Sequence, residues 1–121
     1  MRILLVDDEP DILLLLQTML SVTSWEVVGK ATSGEEALRI AIQIQPDVAI
    51  VDYMMPGMQG FDVATKLKEL TPACDVVIFS AYNVEDQAKA HPAVDRFLSK
   101  GDVGLLESLL QGLAGAKGFS R

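Results

Sequence analysis

Four short apolar runs in this sequence are each closed by residues able to do chemistry. Asp7 and Asp8 follow Ile3 to Val6, Asp52 follows Val48 to Val51, Ser80 follows Val76 to Phe79, and Lys100 comes just after Phe97 and Leu98. Carboxylates gathered at the end of buried segments repel one another and resist desolvation. A divalent cation would remove that repulsion. An oxygen-only set suits Mg²⁺, which keeps several waters and takes one or two carboxylates, with Mn²⁺ as the alternative ion. A lysine and a serine hydroxyl beside such a cation are natural ligands for an anion, and phosphoryl oxygens fit them best.

These residues meet only if the chain places them at one edge. The runs Ile3 to Val6, Val27 to Val28, Val48 to Val51, Val76 to Phe79 and Phe97 to Leu98 have strand length. Several are apolar throughout, as expected of strands buried on both faces of a parallel sheet. Helical spacing fills the gaps. Pro10 to Leu20 starts with proline in its first turn, where the missing N–H does no harm. Ser33 and Glu36 form a capping-box start for a helix through about Gln43. Phe61, Ala64, Leu67 and Leu70 lead up to Pro72, and Val103, Leu106, Leu109, Leu110 and Leu113 define the last helix. Strands alternating with helices imply right-handed crossovers and a doubly wound α/β domain, with ligands at the carboxyl ends of the strands. Between Ser80 and Lys100, Asn83 to Ala90 reads as a short helix ended by His91-Pro92, in an otherwise irregular, mobile segment.

Composition narrows the classes. At 121 residues the chain reads as one domain over 1–121, with a core to about 113 and a glycine-bearing flexible tail over 114–121. Ten basic against 17 acidic residues give a net charge of −7, which argues against direct nucleic-acid binding. The single cysteine, Cys74, excludes an internal disulfide and fits a reducing compartment. The longest strictly apolar run, Ile12 to Leu16, falls far short of a membrane span, so a cytoplasmic domain is expected.

Four stretches, LLVDDEP at 4–10, VDYMMPGMQG at 51–60, VIFSA at 77–81 and RFLSK at 96–100, occur in order at the strand ends. Together they resemble the receiver domain of two-component response regulators, over about residues 1–113. The resemblance implies a five-stranded parallel sheet in the order 2-1-3-4-5, a CheY-like three-layer sandwich. It implies Asp52 as phosphoacceptor, attacking a phosphohistidine of a sensor kinase or phosphotransfer protein to form an acyl phosphate. Asp8 would hold Mg²⁺ with Asp52 and the Met54 backbone carbonyl, and Asp7 would act through a metal-bound water. Lys100 and the Ser80 hydroxyl would hold phosphoryl oxygens. Ser80 and Phe97 would form the switch, with Phe97 standing where family members often carry tyrosine. Gly101 follows Lys100 where many receivers have proline.

Each residue also has a plainer reading. Asp7 and Asp8 suit a helix N-terminus, Met54 to Gly57 suits a turn, and Ser80 and Lys100 alone would be ordinary. His91 reads as a loop residue; Cys74 and Trp25 read as packing. Met54 and Tyr82, two residues beyond Asp52 and Ser80, are placed to shield the acceptor. On a helical wheel of Pro10 to Leu20, Ile12, Leu15, Leu16, Met19 and Leu20 share a face and Leu14 lies opposite, where the family's first helix docks its histidine-phosphate donor. Two rival readings are a degenerate receiver that only binds partners, and a small Mg²⁺-dependent phosphatase with an aspartyl nucleophile. The phosphatase usually needs an acid two residues after the nucleophile, where this chain has Met54.

Overall fold

A computed structural model describes residues 1–119 as strands and helices in strict alternation. They are β1 (Arg2–Val6), α1 (Pro10–Leu20), β2 (Glu26–Ala31), α2 (Gly34–Ile44), β3 (Val48–Asp52), α3 (Gly60–Leu70), β4 (Asp75–Ser80), α4 (Glu85–Ala90), β5 (Arg96–Ser99) and α5 (Leu106–Ala116). A 3-10 turn over Lys100–Leu105 joins the last two. The five strands are parallel in the order β2-β1-β3-β4-β5, as the resemblance implies.

Alternation of side chains along each strand divides the core in two. Ile3 and Leu5 of β1, Ile50 of β3 and Phe79 of β4 pack with Leu16 and Leu20 of α1 and Leu106 and Leu110 of α5. Leu4 and Val6, Val51 and Ile78 pack on the opposite face with Ala37 and Ala41 of α2 and Val63 and Leu67 of α3. Strands buried on both faces therefore read as unbroken apolar runs. The edge strand β2 is longer than Val27 to Val28 suggests, because its exposed Glu26 and Lys30 interrupt the apolar pattern.

Helix ends follow local chemistry. Ser33 Oγ accepts the Glu36 N–H at 3.2 Å, while Glu36 reaches back to the Thr32 N–H at 2.7 Å, one residue earlier than the standard box. The wheel for α1 needs correction. The buried stripe is Leu13, Leu16 and Leu20, whereas Leu15 is 43% exposed beside Leu14 at 63%. Five consecutive apolar residues point in every direction, so periodicity alone could not place the stripe.

Between Ser80 and Lys100 the expected short helix and strand are both present, as α4 and β5, with irregular backbone in the residues flanking them. One further expectation changes. The tail expected from 114 onward starts inside α5, whose Leu113 and Ala114 are buried in the core. The helix ends in a Schellman arrangement at Gly118, φ +85°, with Phe119 N–H donating to Ala114 O at 2.9 Å and Gly118 N–H to Gly115 O at 3.1 Å. Ser120 and Arg121, the end of that tail, lie outside the described residues.

Candidate functional site

β1 and β3 are neighbours in register, Val6 opposite Val51, so the next residues of each, Asp7 and Asp52, emerge side by side. Both are nearly sealed, at 1% and 5% exposure. A carboxylate oxygen from each of Asp7, half-buried Asp8 and Asp52 lies within 4.8 Å of the other two. The chain after β5 delivers Lys100, whose Nζ is 3.0 Å from Asp7 Oδ2 and 3.3 Å from Asp52 Oδ1. The same ammonium lies 5.7 Å above the buried Phe79 ring, a cation–π contact. Asp7 is further held by the Glu9 N–H, donated to its Oδ1 at 2.9 Å. Four residues from three distant points of the sequence thus meet at the carboxyl edge of the sheet.

Their electrostatics are unbalanced. Burial, then the neighbouring Asp7 charge, push the Asp52 carboxyl up to about 6, and Lys100 only partly offsets this. Burial pulls the Lys100 ammonium down, but its hydrogen bond to Asp7 and the charge of Asp52 outweigh that and raise it. Three carboxylates face one ammonium, an excess of two negative charges held by oxygen ligands alone. That donor set fits a hard divalent cation such as Mg²⁺ or Mn²⁺.

The wall beside Asp52 is built by the loop from Tyr53 to Gln59. Met55 is buried and anchors it, while Met54, two residues after Asp52, is 40% exposed. Gly60 closes the loop, donating its N–H to Tyr53 O at 2.8 Å. A Cβ at Gly60 would sit 2.5 Å from the Asp52 carbonyl oxygen and 2.8 Å from Tyr53 Cα. Only glycine permits this approach of α3 to the end of β3. Met54 to Gly57 suits a turn from its sequence, whereas the close approach at Gly60 is visible only in the fold.

Ser80 sits at the expected strand end, with its hydroxyl engaged by the backbone two residues on. Its buried hydroxyl donates to Tyr82 O at 3.1 Å and accepts the Tyr82 N–H at 2.8 Å, a local turn. Phe97 is half-buried and lies opposite Ile78 in the β4–β5 register. Gly101 enters the 3-10 turn with no cis peptide among the described residues, its N–H donated to Ser99 Oγ at 3.3 Å.

His91, read as a loop residue away from the motifs, caps the C-terminus of α4. Its ring stacks on Phe61 at 4.9 Å, Phe61 meets Tyr53 edge-on at 5.1 Å, and Tyr53 meets Tyr82 at 6.2 Å. This aromatic row starts beside Asp52, and sequence spacing gave no sign of it because its members come from four separate segments. Cys74 is buried, with its thiol pushed up to about 12 by burial, and Trp25 belongs to the core.

Comparison with known proteins agrees with this geometry. The family model described as "Response regulator receiver domain" matches residues 3–109. The nitrate/nitrite response regulator protein NarL of Escherichia coli K12 is 33% identical over 118 residues, covering 93% of this chain and 55% of that protein. A protein-glutamate methylesterase/protein-glutamine glutaminase of Methanospirillum hungatei is 34% identical over 95 residues, 78% of this chain and 27% of that protein. The chain thus spans about half or less of these curated relatives. Among solved structures, response regulator protein TrrA of Thermotoga maritima, in complex with Mg²⁺ and BeF, superposes with a TM-score of 0.83 at 31% identity, covering 93% of this chain and 97% of that one.

Proposed function

From the premise that the chain belongs to the response regulator receiver family, we propose that Asp52 accepts a phosphoryl group from a phosphohistidine of a sensor kinase or phosphotransfer protein. The carrying observation is the Lys100 ammonium bridging Asp7 and Asp52 at 3.0 and 3.3 Å, with Asp8 in the same cluster. An Asp52 carboxylate oxygen forms a bond to phosphorus, the phosphorus–nitrogen bond breaks, and the imidazole leaves with the electron pair. The product is an acyl phosphate.

This chain's residues position charge around that exchange. Lys100 is the cation already in place to meet developing negative charge on the phosphoryl oxygens. Ser80 reaches them by breaking its two hydrogen bonds to Tyr82, which vacates space for Phe97 and links the site to the β5 surface. Asp7, Asp8, Asp52 and the Met54 carbonyl are the residues that would hold Mg²⁺, which supplies neutralising charge when bound. Met54 and Tyr82, 40% and 56% exposed, flank the approach to Asp52. On this reading the domain signals rather than turns over substrate, and its setting is the cytoplasm. Among the described residues no helix is long and apolar enough to cross a membrane.

Incubation with acetyl phosphate and Mg²⁺, followed by intact mass, tests the proposal. We expect one phosphoryl adduct, lost in Asp52→Asn and in the presence of EDTA. No adduct would leave a binding module without phosphoryl chemistry, and steady hydrolysis of phosphomonoesters would make it a phosphatase. The donor is proposed to dock on α1, where Leu14 and Leu15 are exposed together. Leu14→Asp should then slow transfer from the cognate phosphohistidine while leaving acetyl phosphate labelling unchanged.

A further inference from the structure

Lys100 brings positive charge to the acidic site, and its backbone does little to place it. The 3-10 turn over Lys100–Leu105 has no buried residue. The ammonium nevertheless sits 3.0 Å from Asp7 Oδ2 and 3.3 Å from Asp52 Oδ1, on a side chain that is mostly buried. Phosphoryl acceptance disturbs both of these partners. Asp52 becomes an acyl phosphate, and Asp7 is among the carboxylates that would hold a divalent cation. The Phe79 ring, its centroid 5.7 Å from the same Nζ, keeps its charge distribution throughout.

The fold leaves that ring little freedom. Phe79 lies opposite Asp52 in the β3–β4 register and opposite Leu98, two residues before Lys100, in the β4–β5 register. Its carbonyl accepts the Tyr53 N–H at 3.3 Å, so the same residue ties down the backbone just after the acceptor. Its side chain is sealed in the core with Leu5, Ile50 and Leu106. An aromatic face attracts an ammonium, most strongly where water is excluded. An aliphatic side chain of similar size would fill the core but offer no such face. We propose that Phe79 is a positioning residue for phosphoryl acceptance, its ring holding the Lys100 ammonium at the site while the partners of that ammonium change from carboxylate to phosphoryl oxygens. The proposal rests on the reading of Asp52 as the acceptor.

Two measurements test it. Proton–carbon NMR of protein carrying isotope-labelled lysine reads the contact without any phosphoryl chemistry, the Lys100 signal being identified by its loss in Lys100→Arg. Its ε-methylene protons should lie upfield of those of the other lysines, shifted by the Phe79 ring current, and should return to their range in Phe79→Leu. Labelling with acetyl phosphate and Mg²⁺ reads the consequence, and Phe79→Leu should slow it about threefold to tenfold. Because that substitution also leaves a cavity, a second variant replaces Phe79 with a trifluorinated phenylalanine, which keeps the ring and weakens its negative face. It should melt with wild type yet label about twofold or more slowly. Wild-type labelling by the fluorinated protein, beside a slow Phe79→Leu, would reduce the ring to packing and overturn the proposal. So would Lys100 ε-protons within the range of the other lysines. An adduct formed at one rate in all three proteins would remove the role of Phe79 alone, whereas no adduct on wild type would overturn the acceptor reading and this proposal with it.

Discussion

At the amino end of the sheet Asp47 accepts the Arg2 backbone N–H at 2.7 Å, and Asp95 accepts that of Val76 at 2.7 Å. Lys68 sits 2.7 Å from Asp95 and Lys117 sits 3.5 Å from Asp75. Each carboxylate there is partly solvated, close to its own cation or satisfying a strand-end donor. At the carboxyl end Asp7 and Asp52 are buried side by side and share one lysine. The same residue types in the same sheet therefore stabilise at one end and destabilise at the other. Charge that closes a fold is paired locally, and charge kept for a ligand is left in excess.

The largest effect expected is at the carboxyl end, and it is steric. Gly60→Ala drives a Cβ into the Asp52 carbonyl and Tyr53 Cα, both backbone, so the loop must move. Overpacking of this kind costs about 3 kcal/mol. The variant should lose that much in urea unfolding and also label slowly with acetyl phosphate. Normal labelling in a destabilised variant would show that the approach of α3 serves packing alone.

Next comes the amino end. Asp95→Ala removes the acceptor for the Val76 N–H and the partner of Lys68 in one step, a loss of about 2 kcal/mol. Labelling of the surviving folded protein should be unchanged. If labelling falls as well, the two ends are coupled and the contrast drawn above fails.

The opposite sign is expected at Asp52. The folded carboxyl titrates near 6 against an ordinary 3.8, so below about 6 the folded state binds the proton first and stability rises as pH falls toward 4. Above 6 the whole penalty is present. Asp52→Asn removes it, with an upper bound of about 3 kcal/mol, and relaxation around the carboxylate brings the expected gain to about 1–2 kcal/mol. Urea melts in EDTA should show that gain at pH 7 and none at pH 4. A variant less stable than wild type at pH 7 would mean that the Lys100 bridge outweighs the repulsion.

This contrast explains what the sequence could tell. Apolar strands ending in Asp7, Asp52 and Ser80 were legible because burial on both faces leaves an unbroken run, and the polar residue after it marks the edge. The strand order was not derivable from periodicity and came with the family resemblance. The face of α1 was misplaced at Leu13 and Leu15 because the helix is apolar nearly all round. The Lys68–Asp95 and Lys117–Asp75 pairs were invisible, since each joins residues brought together only by the crossovers. Ser80 was located, but its engagement with Tyr82 depends on the turn it makes. A flexible tail from 114 is expected from its glycines, and burial of Ala114 in the core overrides that local propensity.

The amino end is not wholly relaxed, and that gives the smallest prediction. Gln45 ends α2 at φ +48°, the one non-glycine residue with positive φ among those described. A side chain in that conformation is mildly strained, and glycine is the residue that usually ends a helix there. The arrangement persists because the Arg2 guanidinium donates to the carbonyls of Ile44 and Gln45, and the Gln45 amide donates to Ile42 O at 3.1 Å. Only that last bond belongs to the side chain. Gln45→Gly should therefore gain about 0.5 kcal/mol, relief of strain exceeding the lost exposed hydrogen bond and the added freedom of the unfolded chain. A thermal melt raised by a few degrees, with unchanged acetyl phosphate labelling, would place this strain in the backbone of the closing end. A lower melt would show that the amide bond, rather than the Arg2 clamp, holds the turn.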